Sequence, residues 1–333
     1  MIPTRKLPRA ALELSELSLG CAQLGNLYRE VSDQEAQETI EAAWALGVRY
    51  YDTAPHYGLG LSEQRLGRTL AEHPRAEFVL SSKAGRLLAP VEHVDGLDNE
   101  GFVVPAAYER IWDFSREGIR RSISESLERL GLDALDIVYL HDAEDHMREV
   151  FATGYAALEE LRSEGALTAI GAGMNYTAPL IDLVRDSDVD VIMLAGRYTL
   201  LEQTALEELL PLCVKRRVGV VAAGVFNSGL LAKARPSAAA NYNYAEAPAE
   251  LVQRAARIAE VCERHGTTLP AAALAFPLAH PAVVSVCVGA RSRDQVERNA
   301  ALYAESIAPE LWRELKEERL LREDAPVGDF ATS

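Results

Sequence analysis

The feature that most constrains this chain is an alternation. Short apolar, β-branched runs and longer stretches of helical spacing follow one another from Leu17 to about Leu302, which calls for repeated βα units rather than separate all-α and all-β blocks. Eight runs read as buried strands: 18–21, 48–52, 78–83, 135–141, 169–174, 189–194, 219–223 and 283–288. Helical periodicity fills 33–46, with Ser32 as the cap and Glu35 at capping-box spacing. It also fills 117–130, 154–164, 179–186, 205–217 and 251–265, each with one apolar stripe, as an outer ring requires. Eight strands alternating with helical stretches predict an α/β fold, a (β/α)8 TIM barrel forming a single domain over 1–333.

Polar residues mark the ends of three strands. Asp52, Lys83 and His141 each close an apolar run, and Tyr57 stands just past the first of them. In a parallel barrel the strand C-termini converge on one face, so residues far apart in sequence meet at one mouth. Singly, each has an ordinary explanation: a turn cap, one of twelve tyrosines, a surface lysine, a core histidine. Jointly they point to proton transfer. A tyrosine hydroxyl titrates near ~10 and is a poor base at neutral pH unless a nearby ammonium stabilises the phenolate. Lys83 is the candidate for that ammonium and is expected to lower the pKa of Tyr57.

Two connections, 85–112 and 233–248, are too long for plain turns and are candidate lids over the mouth. Tyr28, Tyr108 and Trp112 are candidate stacking surfaces for a ring-shaped substrate. A further helix is expected over 308–322, followed by a loose end at 325–333.

Composition narrows the partners. With 48% apolar and 25% charged residues, the 333-residue chain has the make-up of an ordinary globular protein. Its net charge of −16 argues against nucleic acid and anionic membrane surfaces, which reward Lys and Arg. No apolar run reaches the ~18 residues that span a bilayer, and the first residues lack the apolar core of a signal peptide, so a cytoplasmic location is expected. Cys21, Cys213, Cys262 and Cys287 are widely spaced and read as reduced, buried thiols.

The segment Asp52-Thr-Ala-Pro-His-Tyr57-Gly, with Lys83 and His141 closing the next two strands, resembles the aldo-keto reductase superfamily over nearly the whole chain. Asp113-Phe-Ser115, His141-Asp142, 194–201 and 224–229 are similar to its NAD-dependent sugar and pyridoxal dehydrogenase branch. The resemblance implies a nicotinamide cofactor, a small sugar or aldehyde as substrate, and a catalytic set in which Tyr57 moves the proton, Lys83 lowers its pKa, Asp52 orients Lys83 and keeps it charged, and His141 hydrogen-bonds the reacting oxygen. It also implies that Asn175 binds the nicotinamide carboxamide, that Phe226 and Ser228 run beside the diphosphate, and that Arg291, Gln295 and Asn299 meet the adenosine end. Departures from the family pattern matter. Ala195 and Ala223 stand where many members have a glutamine and a nicotinamide-stacking tyrosine. Gln295 replaces an arginine common in NADP-preferring members, which favours NAD, with NADP possible through Arg291 or Arg293.

The implied reaction is oxidation of a small aldose at C1 to the lactone, with a pyridoxal-type alcohol or a general aldehyde as alternative. Two other classes compete: a metal-dependent barrel isomerase or hydrolase, and a nicotinamide-binding accessory subunit that senses redox state. Two local signals are discounted. The 58–63 segment lacks the third glycine of a dinucleotide fingerprint and reads as a loop, and 141–146 reads as an acidic solvated loop rather than a set of metal ligands. No metal is expected.

Overall fold

Eight parallel strands close on themselves in sequence order, each paired with its neighbours in the chain and the last with the first. They are β1 (Leu17–Gly20), β2 (Tyr50–Asp52), β3 (Val79–Ala84), β4 (Ile137–His141), β5 (Ala169–Met174), β6 (Val191–Ala195), β7 (Gly219–Ala223) and β8 (Val283–Gly289). The computed structural model describes residues 2–237, 241–242 and 245–328. All eight expected strands are present, and the barrel they form bears out the fold read from the sequence. Around it run α1 (Asp33–Ala45), α2 (Leu61–Leu70), α3 (Arg116–Leu130), α4 (Tyr155–Ser163), α5 (Thr177–Asp186), α6 (Leu209–Arg216), α7 (Ala249–Arg264), α8 (Leu269–Leu278), α9 (Arg293–Tyr303) and α10 (Pro309–Glu317).

Side chains alternate along each strand between two separate apolar clusters. Ile137 and Tyr139 of β4 join an inner cluster with Tyr50, Val191, Met193, Val221 and Cys287, whereas Val138 and Leu140 pack outward against the helices. An N-terminal hairpin, Thr4–Lys6 with Glu13–Ser15, contributes Leu7 and Leu14 to the inner cluster and closes the bottom of the barrel. This parity decides the site. Asp52, two residues beyond Tyr50, and His141, two beyond Tyr139, belong to the inward set at the top.

Local chemistry explains the helix boundaries. Ser32 accepts from the Glu35 amide while Glu35 reaches back to the Ser32 amide, the capping box expected at α1. The expected 205–217 helix is broken: a single turn at Thr204–Leu206 precedes α6, whose third residue is Pro211, which lacks the amide a longer helix would need there. The C-terminal helix stops at Glu317 instead of continuing to 322, and Arg319 takes a left-handed φ of 57°.

Two helices escape the sequence reading for identifiable reasons. The 58–63 loop is in fact the entry to α2, with Gly60 as its N-cap and Glu63 fully buried. α8 is apolar on every side and buried throughout most of its length, so it shows no stripe, and periodicity passes over it. The 85–112 connection, a candidate lid, carries an ordered hairpin in which Arg86–Pro90 and Tyr108–Trp112 pair antiparallel at the mouth. The second candidate lid, 233–248, lies partly outside the described residues, as does the end of the 325–333 tail. All four cysteines are free and buried. Among the described residues no helix is long and apolar enough to cross a membrane.

Candidate active site

Asp52 ends β2 and Lys83 sits near the end of the adjacent β3, whose register sets Asp52 opposite Ser81. The Lys83 ammonium donates to Asp52 Oδ2 at 2.6 Å and to the Thr53 carbonyl at 3.0 Å. The other Asp52 oxygen accepts from Ser81 Oγ at 2.7 Å. Below Ser81 the network continues inward, because Tyr50 Oη lies 3.0 Å from both Ser81 Oγ and Tyr139 Oη. The pair is therefore buried but hydrogen-bonded on both sides, the condition under which buried charges are tolerated. Burial pulls the Lys83 pKa down, and Asp52 and Tyr57 more than reverse it, leaving the ammonium charged.

Tyr57 covers this pair. Its ring centre is 4.7 Å from Lys83 Nζ. The turn that carries it is built from two glycines in contact: Gly58 has φ of 64°, and a Cβ there would run into the Gly25 backbone. The expected effect of Lys83 is present but does not win. Burial raises the phenol above its ordinary value, and the nearby ammonium recovers only part of that rise, so the hydroxyl rests protonated.

His141 ends β4 with its ring centre 5.9 Å from that of Tyr57, nearly perpendicular to it. Its Nδ1 is buried with no hydrogen-bond partner. Burial drives its pKa well below the ordinary value, and Arg86, Lys83, His56 and Arg110 push the same way, so the imidazole is neutral. The structure brings Asp52, Tyr57, Lys83 and His141 into one cluster.

The hairpin adds residues that the sequence did not single out. Arg110 donates from Nε to His56 Nδ1 at 2.6 Å and is held by Asp98, with contacts of 2.6 and 3.1 Å. His56, whose ring centre is 5.5 Å from that of His141, is pushed down to about 2, first by burial and then by Arg86 and Arg110. Arg86 pairs with Asp142 at 2.5 Å and lies 4.2 Å from the centre of the Trp112 ring. The Asp142 carboxylate is thus tied to the hairpin through one oxygen. No sequence signal marks Arg86 and Arg110 as different from other arginines; only strand pairing puts them at the rim.

A family model, the aldo/keto reductase family, matches residues 16–319. The chain belongs to the aldo/keto reductase family. It is 51% identical to D-threo-aldose 1-dehydrogenase from Pseudomonas sp over 316 residues, covering 94% of this chain and 96% of that protein. It is 38% identical to pyridoxal 4-dehydrogenase from Microbacterium luteolum, covering 95% and 97%. Among solved structures it resembles the holo form of an aldo-keto reductase from Bacillus halodurans, with a TM-score of 0.78, 26% identity and 99% of each chain covered. This aldo/keto reductase is an oxidoreductase, and its family uses nicotinamide cofactors.

Most of the residues expected to meet such a cofactor come directly after strands of this aldo/keto reductase. Asn175 comes directly after β5, half-buried, and its amide makes no hydrogen bond among the described residues. Phe226 is half-buried and Ser228 exposed after β7, the latter with φ of 56°. Arg291 and Gln295 are half-buried at the entry to α9, where Gln295 Oε1 accepts from the Arg291 amide at 3.0 Å. Asn299 is buried deeper in α9, and its Oδ1 has no partner. An uncommitted amide at Asn175 and an exposed turn at Ser228 leave polar groups open beside these two strand ends, whereas Asn299 lies buried beside Leu17 and Ala43. Ala195 and Ala223 face each other in register at the ends of β6 and β7, so this part of the floor presents methyl groups only.

Proposed function

We propose that this enzyme moves a hydride between a nicotinamide cofactor and C1 of a small aldose, oxidising the cyclic sugar to its lactone. The observation that carries the reading is the buried Asp52–Lys83 pair at 2.6 Å lying directly under the Tyr57 ring beside a neutral His141. The 51% identity to a D-threo-aldose 1-dehydrogenase supports the substrate class.

The cofactor, when bound, supplies the hydride acceptor at its nicotinamide ring. Asn175 would hold the carboxamide, Phe226 and Ser228 the diphosphate, and Arg291, Gln295 and Asn299 the adenosine end. Tyr57 takes the C1 hydroxyl proton as the carbon loses its hydride, and returns it in the reverse direction. Lys83 stabilises the phenolate that the forward direction requires, and Asp52 fixes the ammonium in place. His141, being neutral, donates a hydrogen bond to the reacting oxygen without competing for its proton.

NAD is favoured over NADP. Gln295 brings no positive charge to meet a 2′-phosphate, and its side-chain oxygen is already committed to the Arg291 amide. A pyridoxal-type alcohol is the second reading, supported by the 38% identical relative and by the aromatic Trp112 surface, 40% exposed at the rim.

An absorbance screen for reduced nicotinamide, with NAD and NADP against a panel of aldoses and pyridoxal, tests the proposal. Turnover of an aldose with NAD is the expected result. Tight cofactor binding with no substrate oxidised would replace it with a redox-sensing role.

A further inference from the structure

Asp142 carries three features that a spacer residue after a strand would not need. Its backbone has φ of 39°, a left-handed conformation that costs a non-glycine residue energy and is held by the Asp142 amide donating to Gly173 at 2.9 Å. Its Oδ2 is committed to Arg86 at 2.5 Å and lies 3.6 Å from Nε2 of the neutral His141. Its Oδ1 accepts no hydrogen bond among the described residues, yet it is not buried from solvent. Arg86, the partner that fixes the carboxylate, is itself clamped between Glu100 at 3.9 Å and the face of Trp112.

The result is a carboxylate of fixed orientation next to the histidine that meets the reacting oxygen, with one oxygen left over. An ionised carboxylate only accepts hydrogen bonds. An aldose carbon C1 has two neighbours bearing on this: the ring oxygen, which has no proton to give, and the C2 hydroxyl, which has one.

We propose that Asp142 is a specificity-determining residue that accepts the hydroxyl on the carbon next to the reacting one, so that the enzyme selects 2-hydroxylated sugars over deoxy sugars and simple aldehydes. This rests on the aldose reading above. Binding energy of this kind is selective because an analogue lacking the hydroxyl leaves the carboxylate oxygen without a partner in a partly desolvated site. Trp112 and the Arg86 guanidinium then form the wall against which the rest of the sugar ring lies.

The test compares kcat/KM with NAD for an aldose and its 2-deoxy counterpart in the unaltered enzyme, Asp142→Asn and Asp142→Gly. Both replacements suit the left-handed backbone, Asn by tolerance and Gly by preference, so the strand end is kept. The unaltered enzyme should prefer the 2-hydroxy sugar by roughly 10- to 100-fold, the range of a hydrogen bond to a charged group. Asp142→Asn, whose amide oxygen still accepts but carries no charge, should retain a reduced preference, and Asp142→Gly should bring the ratio near one. A lost charge and a lost acceptor would thus give graded ratios, whereas a purely structural role would lower both substrates alike and leave the ratio unchanged. An unchanged ratio in Asp142→Gly overturns the assignment while leaving the aldose reading intact. Failure of the unaltered enzyme to oxidise any aldose overturns the reading itself and the assignment with it.

Discussion

Lys83 Nζ and Asp52 Oδ2 stand 2.6 Å apart with both side chains 3% exposed, an ion pair sealed inside the top of the barrel. Removing one partner of such a pair leaves a buried charge unmatched, at a cost of about 3–5 kcal/mol. Lys83→Met should therefore lower both stability and turnover, although Ser81 still supplies Asp52 with one hydrogen bond. Combining Lys83→Met with Asp52→Asn should recover much of the stability and none of the activity. Chemical denaturation and steady-state rates on both variants and the unaltered enzyme check this, and recovery of turnover in the double variant would refute the electrostatic role given to Lys83.

Tyr57→Phe removes the transferable proton while keeping the ring that covers Lys83. Cofactor affinity should change little and kcat should fall by at least the ~100- to 10,000-fold typical of a general acid or base. Fluorescence titration of the cofactor beside single-turnover rates separates the two effects.

The direction of the Tyr57 shift sets a pH profile. Burial raises this phenol and Lys83 offsets only part of it, so the protonated form prevails at neutral pH. Reduction, which needs the proton, should be insensitive to pH around neutrality. Oxidation needs the phenolate, whose population grows tenfold per pH unit below the pKa, so its kcat/KM should climb steadily into the alkaline range. A flat alkaline limb for oxidation would remove Tyr57 as the base.

His56 and His141 make the molecule sensitive to acid. Both are neutral in the fold, His56 pushed down to about 2 and His141 well below its ordinary value, mainly by burial. An unfolded histidine binds a proton near ~6.5, so this stability is fully present above that pH and is lost as pH falls below it, with a slope approaching ~1.4 kcal/mol per pH unit for each ring. Denaturation midpoints near pH ~7.5 and ~5.5 should drop less for His56→Gln than for the unaltered chain. An equal drop in both would show that His56 takes no part.

Gly58→Ala tests how the Tyr57 turn is held. The added methyl would strike the Gly25 backbone and would sit on a residue with φ of 64°. Loss of about 1–3 kcal/mol is expected, with a larger fractional loss of kcat because Tyr57 shifts with its turn. Thermal unfolding and kcat on the same preparation check both, and unchanged kcat would mean that the turn does not fix Tyr57.

What the sequence determined alone is the order of elements and the strand-end placement of Asp52, Lys83 and His141. Hydrophobic period and caps are local properties, as the Ser32 and Glu35 pair at α1 illustrates, and eight buried strands alternating with helices leave few ways to close. Where the local signal is silent, the reading failed: α8 is apolar on all sides, and α2 starts at a glycine with no side-chain cap. The tertiary structure decided the rest. Arg86, Arg110 and His56 meet through hairpin pairing and side-chain contacts between residues distant in the chain, which no local pattern encodes. The sign of the Tyr57 shift likewise belongs to the folded state, because burial and the Lys83 charge oppose each other and their balance depends on how completely the ring is enclosed.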